Sequence, residues 1–280
     1  MITLENGGWR AEILPEEGAA FATIAHRGLP VLNPLPPGRD PNATPAGAFL
    51  MLPWTNRLDE GRMGEVANFP INRVAERTAI HGLSRAEPWK VKEAGPGHAV
   101  LTQRLAAPET PYRYAARLAV TLAEEALSLD LSLTSESDIP LPFGIGWHPW
   151  FHREPGTQFE LAATHRLTAD ERVLPIAAEP VTGMRGSVEE FIGRDAHHAG
   201  WDGLAWLRWP GRPPMRLTAD GAMGRNLHVF VPGFAPAICL EPVSHVPDVI
   251  NRPALAPFGA MTRLGPGETL RGSVRLEITD

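Results

Sequence analysis

Two side chains in this sequence are placed to move protons. His148 sits in the run Phe143-Gly-Ile-Gly-Trp-His-Pro-Trp-Phe-His152, which is almost free of charge. Imidazole gives and takes protons near neutral pH better than any other side chain. The proline that follows biases His148 towards extended backbone, as at the end of a strand. Trp147 and Trp150 beside it offer flat apolar faces on which the C–H face of a sugar ring can lie. A core histidine bonded to one carbonyl is the plainer alternative. Glu241 is the second residue. It closes the apolar run Ala235-Pro-Ala-Ile-Cys-Leu-Glu241-Pro242, in which alternation puts Ala237, Cys239 and Glu241 on one face. A carboxylate there loses water, which raises its affinity for protons and makes it a better general base. If the two meet across a cleft, one can protonate a substrate while the other deprotonates it; a structural ion pair is the competing use.

Three further residues are candidates for holding a substrate. Arg57 follows the apolar run Phe49–Trp54, where buried chain gives way to loop, and a guanidinium there is a fork for hydroxyl groups. His81 precedes Gly82, a pairing that implies a tight backbone with an imidazole aimed at something. Asp202 stands at the mouth of a strand that begins near Trp201.

The elements that must position these residues read as strands. Prolines and glycines, 29 and 27 of them, are spread along all 280 residues and would break helices throughout, so short strands joined by turns are expected. Residues 1–33 read as two or three short strands, and the proline-rich stretch 34–48 as a loop over the surface. Leu127, Leu129, Leu131 and Leu133 alternate with polar residues, the period-two mark of a sheet with one wet face. Glu124-Glu125 marks a hairpin turn before them. Residues 153–200 carry a weak signal, and His197-His198 read as part of a solvated loop. Leu264-Gly-Pro-Gly-Glu268 is a turn into a last strand through Ile278. With no repeat and no linker, one domain over 1–280 is expected.

Composition narrows the function. A net charge of −6 with mixed signs argues against nucleic acid or an anionic membrane as partner. The single cysteine, Cys239, allows no intrachain disulfide and no thiolate metal cluster. A zinc site on His148-x3-His152 needs helical spacing, which Pro149 prevents. There is no Gly-x-Ser-x-Gly, and Gly95-Pro-Gly97 and Gly265-Pro-Gly267 are turns rather than phosphate loops. The N-terminus lacks the basic flank and apolar core of a signal peptide, and no run approaches the roughly 18 apolar residues of a membrane helix, so a cytoplasmic protein is expected.

Taken in order, these pieces resemble the aldose 1-epimerase (mutarotase) family along nearly the whole chain. The matching segments are Asn56-Arg57-Leu58 with Gly61, Ile80-His81-Gly82 with Trp89, and Trp147-His148-Pro149-Trp150-Phe151. Asp202 opening a strand, Glu241-Pro242 with Pro247-Asp248 and Asn251, and Leu264-Gly-Pro-Gly-Glu268 follow. The resemblance implies an all-β supersandwich of mostly antiparallel strands. It also implies a sugar epimerase without cofactor or metal, working as monomer or homodimer on a small-molecule sugar. In that family the residue matching His148 protonates the ring oxygen, and the one matching Glu241 takes the proton of the C1 hydroxyl. Residues matching Arg57, His81 and Asp202 hold or polarise the sugar. Two positions depart from the pattern. Trp150 replaces the usual tyrosine, and the His-Gly motif continues as Leu83-Ser84-Arg85, similar to the hexose-6-phosphate 1-epimerase branch. Arg62, Arg73 and Arg85 are the arginines available for a phosphate. A catalytically silent carbohydrate-binding domain on the same fold is the rival from another class.

Overall fold

The alternating leucines form the strand Ala126–Ser135, and Leu127, Leu129, Leu131 and Leu133 are all buried on one of its faces. A computed structural model describes residues 1–279, and the rest of the chain follows the same logic. One sheet has nine strands in the order Lys90–Gly95, His98–Ala106, Arg113–Leu122, Ala126–Ser135, Thr269–Ile278, Met215–Gly221, Leu204–Arg208, Gln158–Leu161 and Met184–Ser187. The other has twelve strands. Its main path runs Ile2–Asn6, Trp9–Leu14, Ala20–His26, Ala48–Met51, Gly146–Pro149, Ala237–Val243, Asn226–Phe230, Asp195–Ala199, His165–Ala169 and Pro175–Pro180. The expected antiparallel hairpin joins Arg113–Leu122 to Ala126–Ser135 across Glu124 and Glu125. This is the all-β supersandwich. Helix is confined to short 3-10 turns among the described residues, and none is long and apolar enough to cross a membrane.

One apolar cluster takes side chains from both sheets. Leu118, Leu129 and Leu276 enter it from the nine-stranded sheet, and Phe21, Leu50, Trp147, Val229, Ile238 and Leu240 from the twelve-stranded one. Because side chains alternate across a strand, the neighbours of those last residues must face the other way. Phe49, His148, His228, Phe230, Cys239 and Glu241 therefore share the outer face at the centre of the large sheet. That face is covered by loops rather than wetted. Ala237–Val243 is buried at every position, which is why its sequence lacks a polar half.

Two expectations about the weaker regions change. Residues 153–200 contain five strands, and His197 and His198 lie in one of them, Asp195–Ala199, buried to 3% and 1% exposure. They are not in a solvated loop. The strand pairs with Asn226–Phe230 on one side and His165–Ala169 on the other, so neither edge nor face is left to water. The proline-rich stretch is largely loop as expected, but its Pro41–Pro45 portion forms a wall of the central cavity.

Candidate active site

Strand register assembles the site. The ladder that pairs Gly146 with Val243 and Phe151 with Ile238 places His148 directly across from Glu241. On its other side Glu241 is paired with His228, and His228 with His197; beyond His148 lies Phe49. Phe49, His148, Glu241, His228 and His197 thus form one row across five adjacent strands. Nearest neighbours in such a row have Cβ atoms only about 4.5–5.5 Å apart. Nε2 of His148 lies 3.3 Å from Oε1 of Glu241, and the two are 4% and 1% exposed. Oε2 of Glu241 is buried without a protein partner. The His148 ring is stacked between Phe49 and Trp150, with centroids 4.5 and 5.1 Å away and interplanar angles near 30°.

Above this row is a cavity of about 340 Å³. Its walls come from the proline-rich loop and from the segment between Asn56 and Arg85. Arg57 is carried there by the short ladder of Arg57–Asp59 with Thr78–Ile80. Its Nε donates to Glu76 at 2.8 Å, Nη2 to Asp195 at 3.2 Å and Nη1 to Oδ1 of Asn56 at 3.1 Å. Asp248 anchors this ladder: its backbone N–H donates to the Arg57 carbonyl at 3.1 Å, and its carboxylate accepts the Asp59 N–H at 2.9 Å. Asn56 and His81 both have left-handed backbone, φ +54° and +66°, and the His81 N–H donates to the Asn56 carbonyl. Such conformations in non-glycine residues cluster at functional sites, where the surroundings impose them. They turn the His81 ring edge-on to His148, 5.0 Å between centroids. Gly82, at φ +71°, lies so close to Leu52 that a Cβ would meet its carbonyl oxygen at 2.0 Å.

Asp195 is the acid of the cavity that sequence reasoning missed. Oδ1 accepts from His228 Nε2 at 2.6 Å and Oδ2 from Arg57. Its polar neighbours hid it, since a buried strand flanked by strands on both edges shows no alternation. Asp202 is elsewhere. It does open the strand Leu204–Arg208, but its exposed side chain accepts the Leu204 N–H at 3.0 Å on the nine-stranded sheet. The expectation that Asp202 shares the site is corrected accordingly. Of the other arginines, Arg85 and Arg73 line the cavity, whereas Arg62 is exposed and paired with Asp59.

Burial sets the electrostatics. It pushes the Glu241 carboxyl well above its ordinary value, with the Asp195 charge adding to the shift and Arg57 opposing it. It pushes His148 and His81 well below the ordinary imidazole value. Burial also disfavours the Asp195 carboxylate, but the bonds from His228 and Arg57 outweigh it and hold that carboxyl below its usual range. One proton shared between His148 and Glu241 is therefore comfortable, whereas two or none leave a buried charge. Nitrogen, sulfur and oxygen atoms of His148, Cys239 and Glu241 also come within 4.8 Å of one another. Burial pushes the Cys239 thiol well up, which disfavours the thiolate that a soft metal prefers.

The comparisons bear on the fold and the family. The chain is 25% identical to the uncharacterized Escherichia coli K12 protein YphB over 299 aligned residues, 99% of this chain and 98% of YphB. Among solved structures it is similar to a galactose mutarotase-like protein from Clostridium acetobutylicum, with TM-score 0.84, 17% identity, and 99% and 94% of the two chains covered. It is also similar to galactose 1-epimerase from Lactobacillus acidophilus NCFM, with TM-score 0.77, 18% identity, and 98% and 92% covered. The aldose 1-epimerase family model matches residues 1–196, which hold Arg57, His81, His148 and Asp195, and the chain belongs to that family.

Proposed function

We propose that the protein is an aldose 1-epimerase that interconverts the α and β anomers of a hexose. The observation that carries this reading is the His148–Glu241 pair, 3.3 Å apart on the floor of a cavity walled by aromatic rings and polar side chains. Ring opening needs a proton delivered to the ring oxygen as another leaves the C1 hydroxyl. His148 supplies the first and Glu241 accepts the second. The open-chain aldehyde then turns about C1–C2 and recloses on its other face, with the two roles exchanged. Arg57 and His81 hold hydroxyl groups, and Asp195 takes the part expected of Asp202. Trp150 lies against the apolar face of the ring.

Polarimetry of freshly dissolved α-glucose and α-galactose tests this. The protein should speed the drift to equilibrium rotation, and His148→Asn should lose roughly 10²- to 10⁴-fold of that rate, the share of one acid–base group. A sugar that binds by calorimetry yet drifts at the uncatalysed rate would instead support the silent binding domain.

A further inference from the structure

A third side chain beside the acid–base pair has no part in the proposed reaction. Cys239 stands two residues before Glu241 on the same face of Ala237–Val243, and the register sets it diagonal to His148. It is fully buried. A ring nitrogen of His148, Sγ of Cys239 and a carboxylate oxygen of Glu241 lie within 4.8 Å of one another. His148 and Glu241 line the cavity and Cys239 does not, so the three donors gather at its floor.

Donors of these three kinds suit one class of ion. Imidazole, thiolate and carboxylate are all zinc ligands, whereas magnesium and calcium take oxygen. Nitrogen and oxygen ligands about 2.0–2.1 Å from a tetrahedral ion are roughly 3.3 Å apart. Nε2 of His148 and Oε1 of Glu241 are 3.3 Å apart already. Oε2 of Glu241 is buried without a protein partner, so the carboxylate has coordinating capacity to spare. The fourth position of such a tetrahedron faces the cavity. Charge balances as well. Without the ion the thiol keeps its proton and the His148–Glu241 pair shares another, which leaves the trio neutral. A dication with one thiolate, one carboxylate and a neutral imidazole is neutral again, with two protons released to solvent. Burial disfavours the free thiolate, but a coordinated thiol is deprotonated outright by its metal. We infer that His148, Cys239 and Glu241 form an inhibitory site for Zn²⁺. The ion engages the imidazole lone pair and the carboxylate together, so neither proton transfer can take place while it is bound. The inhibition rests on the epimerase reading; the binding does not.

Initial mutarotation rates of α-glucose and α-galactose would be measured in Zn²⁺ and in EDTA. Zn²⁺ should suppress the wild-type rate, and EDTA should restore it. Cys239→Ala should raise the half-inhibiting Zn²⁺ concentration by at least roughly 10- to 100-fold, the range commanded even by an outer-shell partner of a metal. Cys239→Ser gives the same reading where the alanine variant disturbs packing. Binding is read separately with Co²⁺ alone. The wild type should show a thiolate-to-cobalt charge-transfer band, and the Cys239 variants should lack it. Zn²⁺ inhibition that persists unchanged in both Cys239 variants overturns the site, as does a wild type without the cobalt band. A cobalt band with turnover that ignores Zn²⁺ overturns the inhibition. A cobalt band with no turnover even in EDTA overturns the epimerase reading and leaves the ion site standing.

Discussion

Nε2 of His148 lies 3.3 Å from Oε1 of Glu241 because two adjacent antiparallel strands put these residues opposite each other. The pair must titrate as a unit. In the proposed reaction, ring opening would use protonated His148 with ionised Glu241, and reclosure the other tautomer of the same singly protonated pair. Activity should therefore be bell-shaped in pH. Below the lower pKa both groups hold protons and no base remains; above the upper one both have lost them and no acid remains. Burial drives His148 down and Glu241 up, which widens the plateau. The acid limb of kcat/KM is expected below about 6.5, the ordinary histidine value. An acid limb centred at or above that value would contradict the assignment.

Glu241→Gln separates charge from shape at the base. The amide is nearly isosteric and removes the carboxylate proposed to accept the C1 hydroxyl proton. The variant should bind sugar but mutarotate roughly 10²- to 10⁴-fold more slowly. A wild-type rate with the acid limb intact would make Glu241 a structural carboxylate.

The residues of this site were more legible in the sequence than their geometry. His148 and Glu241 announced themselves because each is a lone ionisable residue ending an apolar run before a proline. That they meet depends on a register between strands some ninety residues apart, which periodicity does not encode. The direction of the Glu241 shift needed the structure too, since burial and a protonated neighbour act with opposite signs. Asp195 and His228 were invisible for another reason: on a strand covered on both faces, polar residues lose the alternation that would mark them as inward-facing. Asp202 was plausible because it opens a strand as expected, but a strand of the wrong sheet.

Asp195 and Asp202 can be told apart directly. Asp195→Asn removes the charge that lies between Arg57 and His228, and charge-assisted bonds of that kind are worth about 1.5–3 kcal/mol. Its kcat/KM should fall roughly 10- to 150-fold. Asp202→Asn keeps the oxygen that accepts the Leu204 N–H and should turn over sugar like the wild type. Reversed effects in the same polarimetric assay would restore Asp202 to the site.

Arg57 should be sensitive to shape as well as charge. Its guanidinium bonds Glu76, Asp195 and Asn56 through three different nitrogens, which a lysine ammonium cannot reproduce. Arg57→Lys should lower kcat/KM nearly as far as Arg57→Ala, with both proteins still folded by circular dichroism. Full activity in the lysine variant would show that the charge alone suffices.

Acid should weaken the fold through histidines outside the proposed chemistry. His198 and His245 are buried, and burial is the main reason that they are lowered to about 3 and about 4. His245 is also committed as a neutral ring. Its Nδ1 donates to the Val246 carbonyl at 2.9 Å, and Nε2 accepts the Thr55 N–H at 3.1 Å. In the unfolded chain both rings take up protons near 6.5. As pH falls below that value the unfolded state gains protons that the folded state refuses, so stability present above 6.5 is lost. The loss continues down to about 4 for His245 and about 3 for His198. Each ring contributes a slope of about 1.4 kcal/mol per pH unit inside its window. Asp195, whose carboxyl is held low, also loses stability towards acid, at lower pH; Glu241, whose carboxyl is raised, works the other way and loses it as pH rises. Urea unfolding at pH 7.5 and pH 5.0 measures the sum, and a clear drop at pH 5.0 is expected. His198→Leu removes one titrating ring and should flatten the dependence by one proton. An unfolding free energy that is the same at both pH values, or a His198→Leu protein with the wild-type slope, would mean that these histidines are not held neutral by the fold.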